Sequence, residues 1–427
     1  MTSSARILVA VAALAVATGV VSAVGGVLFY RATLPDAQTH LYPASRAVVA
    51  WATRWQRDDG TLLERSALAA NDAVSPPALV GTILLTLGSD RRLHALDPLT
   101  GAQRWDIGYN DGRRVMGFRV VGSLVVMIVM RPNPVTGLAD SSLAAADTVT
   151  HAVLWDRPLD ADVFTASLQV GASAAYVAVA DNVDGGEYTA LRERSISVSL
   201  HPRVRAYALG DGAERWERAL PERLDGPTAQ QVALTLSGTQ VVVSTSTSFA
   251  PLGMSVLDAA TGRALWQAAD GTVALGMFRA ELVVRSGTDL ALFAVGTGRV
   301  LARLATMGAR SGPAVVAHDV LYQVASDHVL AVDLATRRGL WTTALDSPHG
   351  GFGAAAGRPR PPAVQDDHLY LGGRDEDVYS IDVRTGAVEW KFPAELDAGA
   401  STSTAPLRYG SLVLVQDDQI TAYRVPS

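Results

Sequence analysis

The sequence predicts an all-β fold: an eight-bladed β-propeller with four-stranded blades, preceded by one N-terminal transmembrane helix. Three observations predict it. A turn motif ending in tryptophan recurs along the chain, a second series of short hairpins recurs eight times, and each end of the chain carries half of an incomplete repeat. A self-similar period of tens of residues outranks any element-by-element reading.

The turn motif is A-x-D-x-x-T-G-x-x-x-W, seen in full at Ala95, Asp97, Thr100, Gly101 and Trp105. Counting back from Trp155 gives Ala145, Asp147, Thr150 and His151; from Trp266, Val256, Asp258, Thr261 and Gly262. Trp341 follows Ala331, Asp333, Thr336 and Arg337, and Trp390 follows Ser380, Asp382, Thr385 and Gly386. Trp216 keeps Ala206 and Gly212 but moves the acid to Asp211, and a seventh copy has Thr297, Gly298 and Ala302 in place of tryptophan. The alternating residues ahead of the aspartate read as a half-buried strand. The aspartate caps a tight turn and the glycine takes the positive φ that closes it. Where His151 or Arg337 replaces glycine, the turn is expected to be strained or differently shaped. The indole on the returning strand is a wedge between neighbouring sheets.

The hairpin series begins at Gly81, Gly122, Gly171, Gly238, Ala280, Asp319, Asp367 and Gly410, each followed by an apolar run. Hairpin plus turn unit makes four strands, one propeller blade.

The chain divides into a short cytoplasmic N-terminus (1–6), an anchor (7–30), a linker (31–45) and a propeller (46–427). Residues Ile7 to Tyr30 carry no charge, and at about 1.5 Å per residue they cross a hydrocarbon core of roughly 30 Å. Val21-Ser22-Ala23 resembles a signal-peptide cleavage site, but the apolar run continues past it, which favours a retained signal-anchor. A single-pass cell-membrane protein with its propeller on the extracytoplasmic side follows. The linker is polar and contains Pro35 and Pro43.

Val48 to Trp55 reads as a strand with the tryptophans of a turn unit, Trp51 and Trp55, and nothing in front of them. The C-terminus has the complement, strands that stop before any tryptophan. The N-terminal strand is therefore expected to complete the last blade and remove the free edges of the ring. About 380 residues remain for eight blades, roughly 47 each, within the range of about 40 to 50 for propeller repeats.

Composition excludes several classes. The chain has no cysteine, so disulfides, thiolate metal sites, thiol nucleophiles and lipoprotein acylation are ruled out. A net charge of −6 argues against a nucleic-acid surface. The eight histidines are scattered without metal-ligand spacing, and neither a phosphate loop nor a G-x-S-x-G elbow is present.

Departures from regular spacing mark candidate partner loops. Blade 2 carries 131–142 and blade 3 an insertion around 181–203, whose richest acidic stretch contains Asp181, Asp184 and Glu187. Between blades 6 and 7 runs a Gly/Pro-rich segment with His349, Phe352, Arg358 and Arg360. Asp181 to Glu187 lacks the spacing of an EF-hand loop, and a solvated turn is its simplest reading.

The turn motif resembles the tryptophan-docking repeat of pyrroloquinoline-quinone (PQQ) dehydrogenase-like propellers, over nearly the whole chain after the anchor. That superfamily includes quinoprotein alcohol dehydrogenases and non-enzymatic BamB-type propellers; eight blades and the Trp51/Trp55 strand resemble the latter. The resemblance implies a scaffold, and function is argued from a site. Quinoproteins of this kind hold PQQ with calcium against a tryptophan and a disulfide between adjacent cysteines, which this chain cannot form. Trp105, Trp155, Trp216, Trp266, Trp341 and Trp390, with Trp51 or Trp55, are assigned to structural docking, and no catalytic, cofactor-binding or metal-binding residue is assigned. The expected function is a non-catalytic, extracytoplasmic scaffold holding an envelope protein or peptide. The alternative is a PQQ-binding redox enzyme or sensor that lacks the disulfide.

Overall fold

The computed structural model describes residues 48 to 425 apart from 55–75, 133–138, 162, 183–197, 221–223, 227–229, 248–250, 269–270, 288, 305–313, 325–327, 346–361, 373–376, 394–405 and 417–418. Trp55 and residues 7–30 lie outside the described residues, among which no helix is long and apolar enough to cross a membrane.

Hairpin and turn unit combine into eight antiparallel sheets, each a meander whose strands pair in chain order. Blade 1 comprises Ala78–Val80, Ile83–Leu87, Leu93–Leu96 and Gln103–Ile107. Blades 2, 3 and 4 follow from Arg114, Val163 and Gln230; blades 5, 6 and 7 start at Thr272, Ala314 and Ala363. Blade 8 is built from both ends of the chain: Leu407–Tyr409, Leu412–Gln416 and Gln419–Arg424, then Val48–Arg54 as the fourth strand. Val48 pairs with Arg424 and Arg54 with Gln419. Blade 3 departs from the four-strand expectation, because Leu224–Gly226 adds a fifth strand on Val198–Leu200.

The core is eight hydrophobic clusters, one at each seam between neighbouring blades. Leu85, Phe118 and Met127 join blades 1 and 2, and Val126, Leu143 and Val177 join blades 2 and 3. At the closing seam Leu84 and Leu96 of blade 1 meet Leu414 and Ile420 of blade 8. This contact between the first and last blades makes the ring continuous, and it depends on alternating apolar residues that face both neighbours.

The turn units join the blades. Each motif aspartate caps its turn as the sequence requires: the Asp97 carboxylate accepts the Leu99 and Thr100 amides at 2.9 and 3.2 Å, and Asp147 those of Val149 and Thr150 at 2.9 and 2.7 Å. In blade 3 the displaced Asp211 caps Ala213 instead. The indoles reach the turn of the next blade. Trp51 Nε1 donates to Pro98 O (3.1 Å), Trp155 to Leu209 O (2.8 Å), Trp216 to Ala259 O (3.0 Å), Trp266 to Val295 O (2.6 Å) and Trp341 to Val383 O (2.9 Å). Trp390 is 6% exposed in the cluster between blades 7 and 8.

These indoles explain the motif glycine. A Cβ on Gly101, Gly212, Gly262, Gly298 or Gly386 would lie 2.4 to 2.7 Å from the docked ring. The glycine therefore answers two demands, a φ near +70° and a flat ring against its Cα. Of the two outcomes expected where glycine is replaced, a strained or a differently shaped turn, the exceptions show the strained one. His151 and Arg337 keep φ at 59° and 64° and donate the same backbone hydrogen bond, to Asp147 O and Asp333 O at 2.8 and 2.7 Å. The shape persists with the left-handed cost of roughly 1 kcal/mol. Arg337 is possible because the preceding blade offers Ala302 where the wedge would stand, so no ring approaches its Cβ. At the other exception Trp105 remains and the His151 ring packs on it, with centroids 4.6 Å apart.

Candidate functional site

A four-strand meander sends its first and third turns to one face of the disc and its second turn and exit to the other. On the first face every hairpin connection has two or three residues, and every third-to-fourth-strand connection four to six. On the second face lie all the long connections: Arg54 to Ala78, Asn182 to Val198, Leu304 to Ala314, Ala344 to Ala363 and Pro393 to Leu407. The candidate partner segments thus leave and rejoin the propeller on one face. Pro132 to Ala139 of blade 2 shares it. Asp181 sits near the end of a blade 3 strand, paired with Val163 and His201. Asp184, Glu187, His349, Phe352, Arg358 and Arg360 lie outside the described residues.

The loop face is not level. The second strands of blades 2, 3 and 4 run nine, nine and eight residues (Leu124–Pro132, Ala174–Asn182, Gln240–Thr247), against five or six in the other blades. At about 3.3 Å per residue, two to four extra residues raise a wall of roughly 7–13 Å over one side of the disc. In blade 3 the fifth strand covers part of the edge that this extension would expose.

Two polar networks, one on the third and fourth strands of blade 1 and one at the seam of blades 7 and 8, were missed by sequence reasoning. His94, 2% exposed, contacts the Asp90 carboxylate through Nε2 at 2.9 Å and the Gln103 Oε1 through Nδ1 at 3.1 Å. Gln103 also donates to Asp106 at 3.2 Å, and Arg92 Nε donates to Asp106 at 2.5 Å. Across the seam of blades 7 and 8, Arg408 donates to the Tyr370 hydroxyl (3.1 Å) and the Gly410 carbonyl (3.0 Å), and His368 contacts Glu389 at 3.0 Å. The Asp90/His94 spacing was a visible signal, whereas His368, Glu389 and Arg408 meet only through the fold.

Every resolved carboxyl shift among the described residues is downward. Asp97 is lowered by its hydrogen bond from Arg104 and then by the Leu99 amide, and Asp258 by the Thr261 hydroxyl and amide. Tyr109 and Tyr322 are pushed up to about 12, in both cases chiefly by burial.

For PQQ with calcium, the donor set decides the fit. Among the described residues no three of His, Asp and Glu come together as a metal site. The inner strands around the axis carry Arg114, Arg119 and Arg408 and no Asp or Glu at all. Calcium needs six to eight oxygen ligands, usually with carboxylates among them. The described residues do not fit that group.

Fold and docking geometry together define the class, an eight-bladed propeller of PQQ-type repeats. The chain belongs to the family described as outer membrane protein assembly factor BamB, which it matches over residues 139–310 and 286–425. No curated protein sequence matches. BamB from Moraxella catarrhalis superposes with a TM-score of 0.54 at 14% identity, over 88% of this chain and 99% of that one. The quinohemoprotein alcohol dehydrogenase ADHIIG from Pseudomonas putida HK5 gives 0.56 at 12%, over 92% and 78%. The computationally designed Ika8 protein gives 0.56 at 14%, over 82% and 95%. At these identities the structural likenesses establish the fold alone.

Proposed function

We propose that this protein is a membrane-anchored, extracytoplasmic β-propeller that holds an envelope protein or peptide partner on its loop face and performs no catalysis. The observation that carries the proposal is the division of labour between the faces: tight turns close one, and every long connection and the raised wall of blades 2–4 occupy the other. Rigid scaffolds present binding loops in this way. The entry of the chain supports the orientation. Val48 begins at the turn face, beside Arg424, so the segment from the proposed anchor at 7–30 arrives there. The loop face is then on the opposite side of the disc from the point of tethering. The absence of nucleic-acid chemistry in the charge balance agrees with this reading. Outer-membrane assembly, the role printed for the family, is the narrower form of the proposal, and identification of the partner tests it.

The experiment has two arms on the full chain in membranes. Shortening 183–197 or 346–361 to a four-residue linker leaves the melting temperature within a few degrees and lowers recovery of the crosslinked partner several-fold for at least one variant. Unchanged recovery in both refutes the loop-face assignment. In the second arm the purified chain is dialysed with PQQ and calcium. Stoichiometric retention of the quinone absorbance would replace the scaffold reading with the quinoprotein one.

A further inference from the structure

The described residues expose seven large hydrophobic side chains, and all seven lie at the turn face. Two stand in third turns, Leu99 of blade 1 and Val149 of blade 2, 62% and 73% exposed. The others, Val49, Val153, Leu154, Val300 and Leu340, fall within the first three residues of a fourth strand, where it leaves that face. All but Val300 and Leu340 belong to the consecutive blades 8, 1 and 2. Docking contacts make these neighbours. Trp51, two residues after Val49, donates to the Pro98 carbonyl beside Leu99, and Trp105 packs on His151, two residues after Val149. In blades 3 to 7 the turn position of Leu99 and Val149 holds Gly210, Ala260, Gly296, Ala335 and Arg384, so the large aliphatic tips are particular to blades 1 and 2. The acids of these two turns bond inward, Asp97 to the Leu99 and Thr100 amides and Asp147 to those of Val149 and Thr150. Exposed apolar groups gathered in one place mark a contact surface.

The course of the chain supplies the occupant. Residues 31–47 separate the proposed anchor, which ends at Tyr30, from Val48, which enters blade 8 at this same face. Even fully extended, that segment spans no more than roughly 60 Å. We infer that the turn face of blades 8, 1 and 2 rests on the bilayer that holds the anchor, with Leu99 and Val149 inserted at the boundary of headgroups and acyl chains. Insertion removes aliphatic area from water. The tether makes the encounter intramolecular, so a patch too small to capture a membrane from solution is sufficient. Because the contact is apolar, it needs no anionic lipid and withstands salt. It fixes the disc on the membrane and turns the loop face outward. This inference rests on the proposed anchor at 7–30, and its test reads the two separately.

The chain has no cysteine, so one introduced thiol carries one nitroxide label. The full chain is reconstituted in phosphatidylcholine vesicles and floated on a density gradient. Power saturation then compares collisions with oxygen, which concentrates in lipid, and with a water-soluble nickel chelate. Labels at Leu99→Cys and Val149→Cys are expected to show an oxygen-to-nickel ratio several-fold above that of Asn110→Cys and Asp140→Cys on the loop face, unchanged by phosphatidylglycerol or salt. Read from a label at Val153→Cys, Leu99→Ser with Val149→Ser lowers the ratio several-fold and leaves the melting temperature within a few degrees. Aqueous ratios at both Leu99 and Val149 in a chain that floats with the vesicles overturn the inference and leave the anchor standing. A chain that does not float removes the anchor and the inference together. Spin–spin broadening at Leu99 without an oxygen excess, the sign of a second copy on this face, overturns the inference. So does a ratio that requires phosphatidylglycerol and is lost in salt, or an unchanged Val153 ratio in the folded double variant.

Discussion

At the scale of single residues, the fold depends on the match between an indole and the glycine it covers. Adding a Cβ to Gly101 or Gly386 brings it within 2.4 or 2.6 Å of a docked ring, whereas Gly81 has nothing within 4 Å although its φ is also positive, at 59°. Gly81→Ala therefore carries only the left-handed cost of about 1 kcal/mol, while Gly101→Ala and Gly386→Ala add overpacking of about 1–3 kcal/mol. Chemical denaturation ranks the three, and equal losses would contradict the docking explanation. The Ala302/Arg337 seam gives the converse case. Ala302→Trp alone meets the Arg337 Cβ and destabilises, and with Arg337→Gly it restores the seam and stabilises. A double-mutant cycle should show favourable coupling of about 1–3 kcal/mol, and additive effects would refute the pairing. The sequence showed both substitutions, but not that they belong to one seam. Trp266 docks on Gly298 and Trp341 on Gly386, so each tryptophan serves the following repeat, a relation that only the three-dimensional arrangement supplies.

The turn units and the closing strand belong to the scale of elements. Asp147 has its carboxyl held below the ordinary value of 3.8 by hydrogen bonds from the Thr150 and Val149 amides. A carboxyl whose folded pKa is depressed stabilises the fold above its unfolded value and loses that contribution as pH falls through the folded one. The gap in melting temperature between the native chain and Asp147→Ala should be full above pH 3.8 and narrow below it. A gap that widens on acidification would contradict the capping role. The closing strand was legible because Trp51 stands in strand context without a hairpin ahead of it. Its partner strand Gln419–Arg424 and its contact with Pro98 complete that reading. Trp51→Ala should cost as much as removal of a repeat tryptophan such as Trp216, about 2–4 kcal/mol, although Trp51 lies outside every complete motif. Circular dichroism melts of both variants check this, and a silent Trp51→Ala would mean that the ring does not depend on its N-terminal strand. The fifth strand of blade 3 was not legible, since Leu224-Asp225-Gly226 has a turn composition and owes its strand to the overhanging hairpin.

At the scale of the whole molecule, the blade count and ring closure could be read from the repeat, because each blade writes the same turn chemistry into the chain. The site was legible only as a set of irregular spacings. What the sequence could not convey is that these irregularities share a face, a consequence of meander parity, or that the extended blades are neighbours. The inner-strand arginines were equally hidden, since Arg119 and Arg408 are separated by most of the chain and share an axis only in the closed ring. The same parity places Leu99 and Val149, 62% and 73% exposed, on the turn face, and Asn110 and Asp140 on the loop face.

The most direct test of the account places a photo-crosslinking amino acid at each of these four positions in the full chain and irradiates intact membranes. The account predicts partner adducts from Asn110 or Asp140 and none from Leu99 or Val149. Adducts confined to the turn-face positions would contradict it.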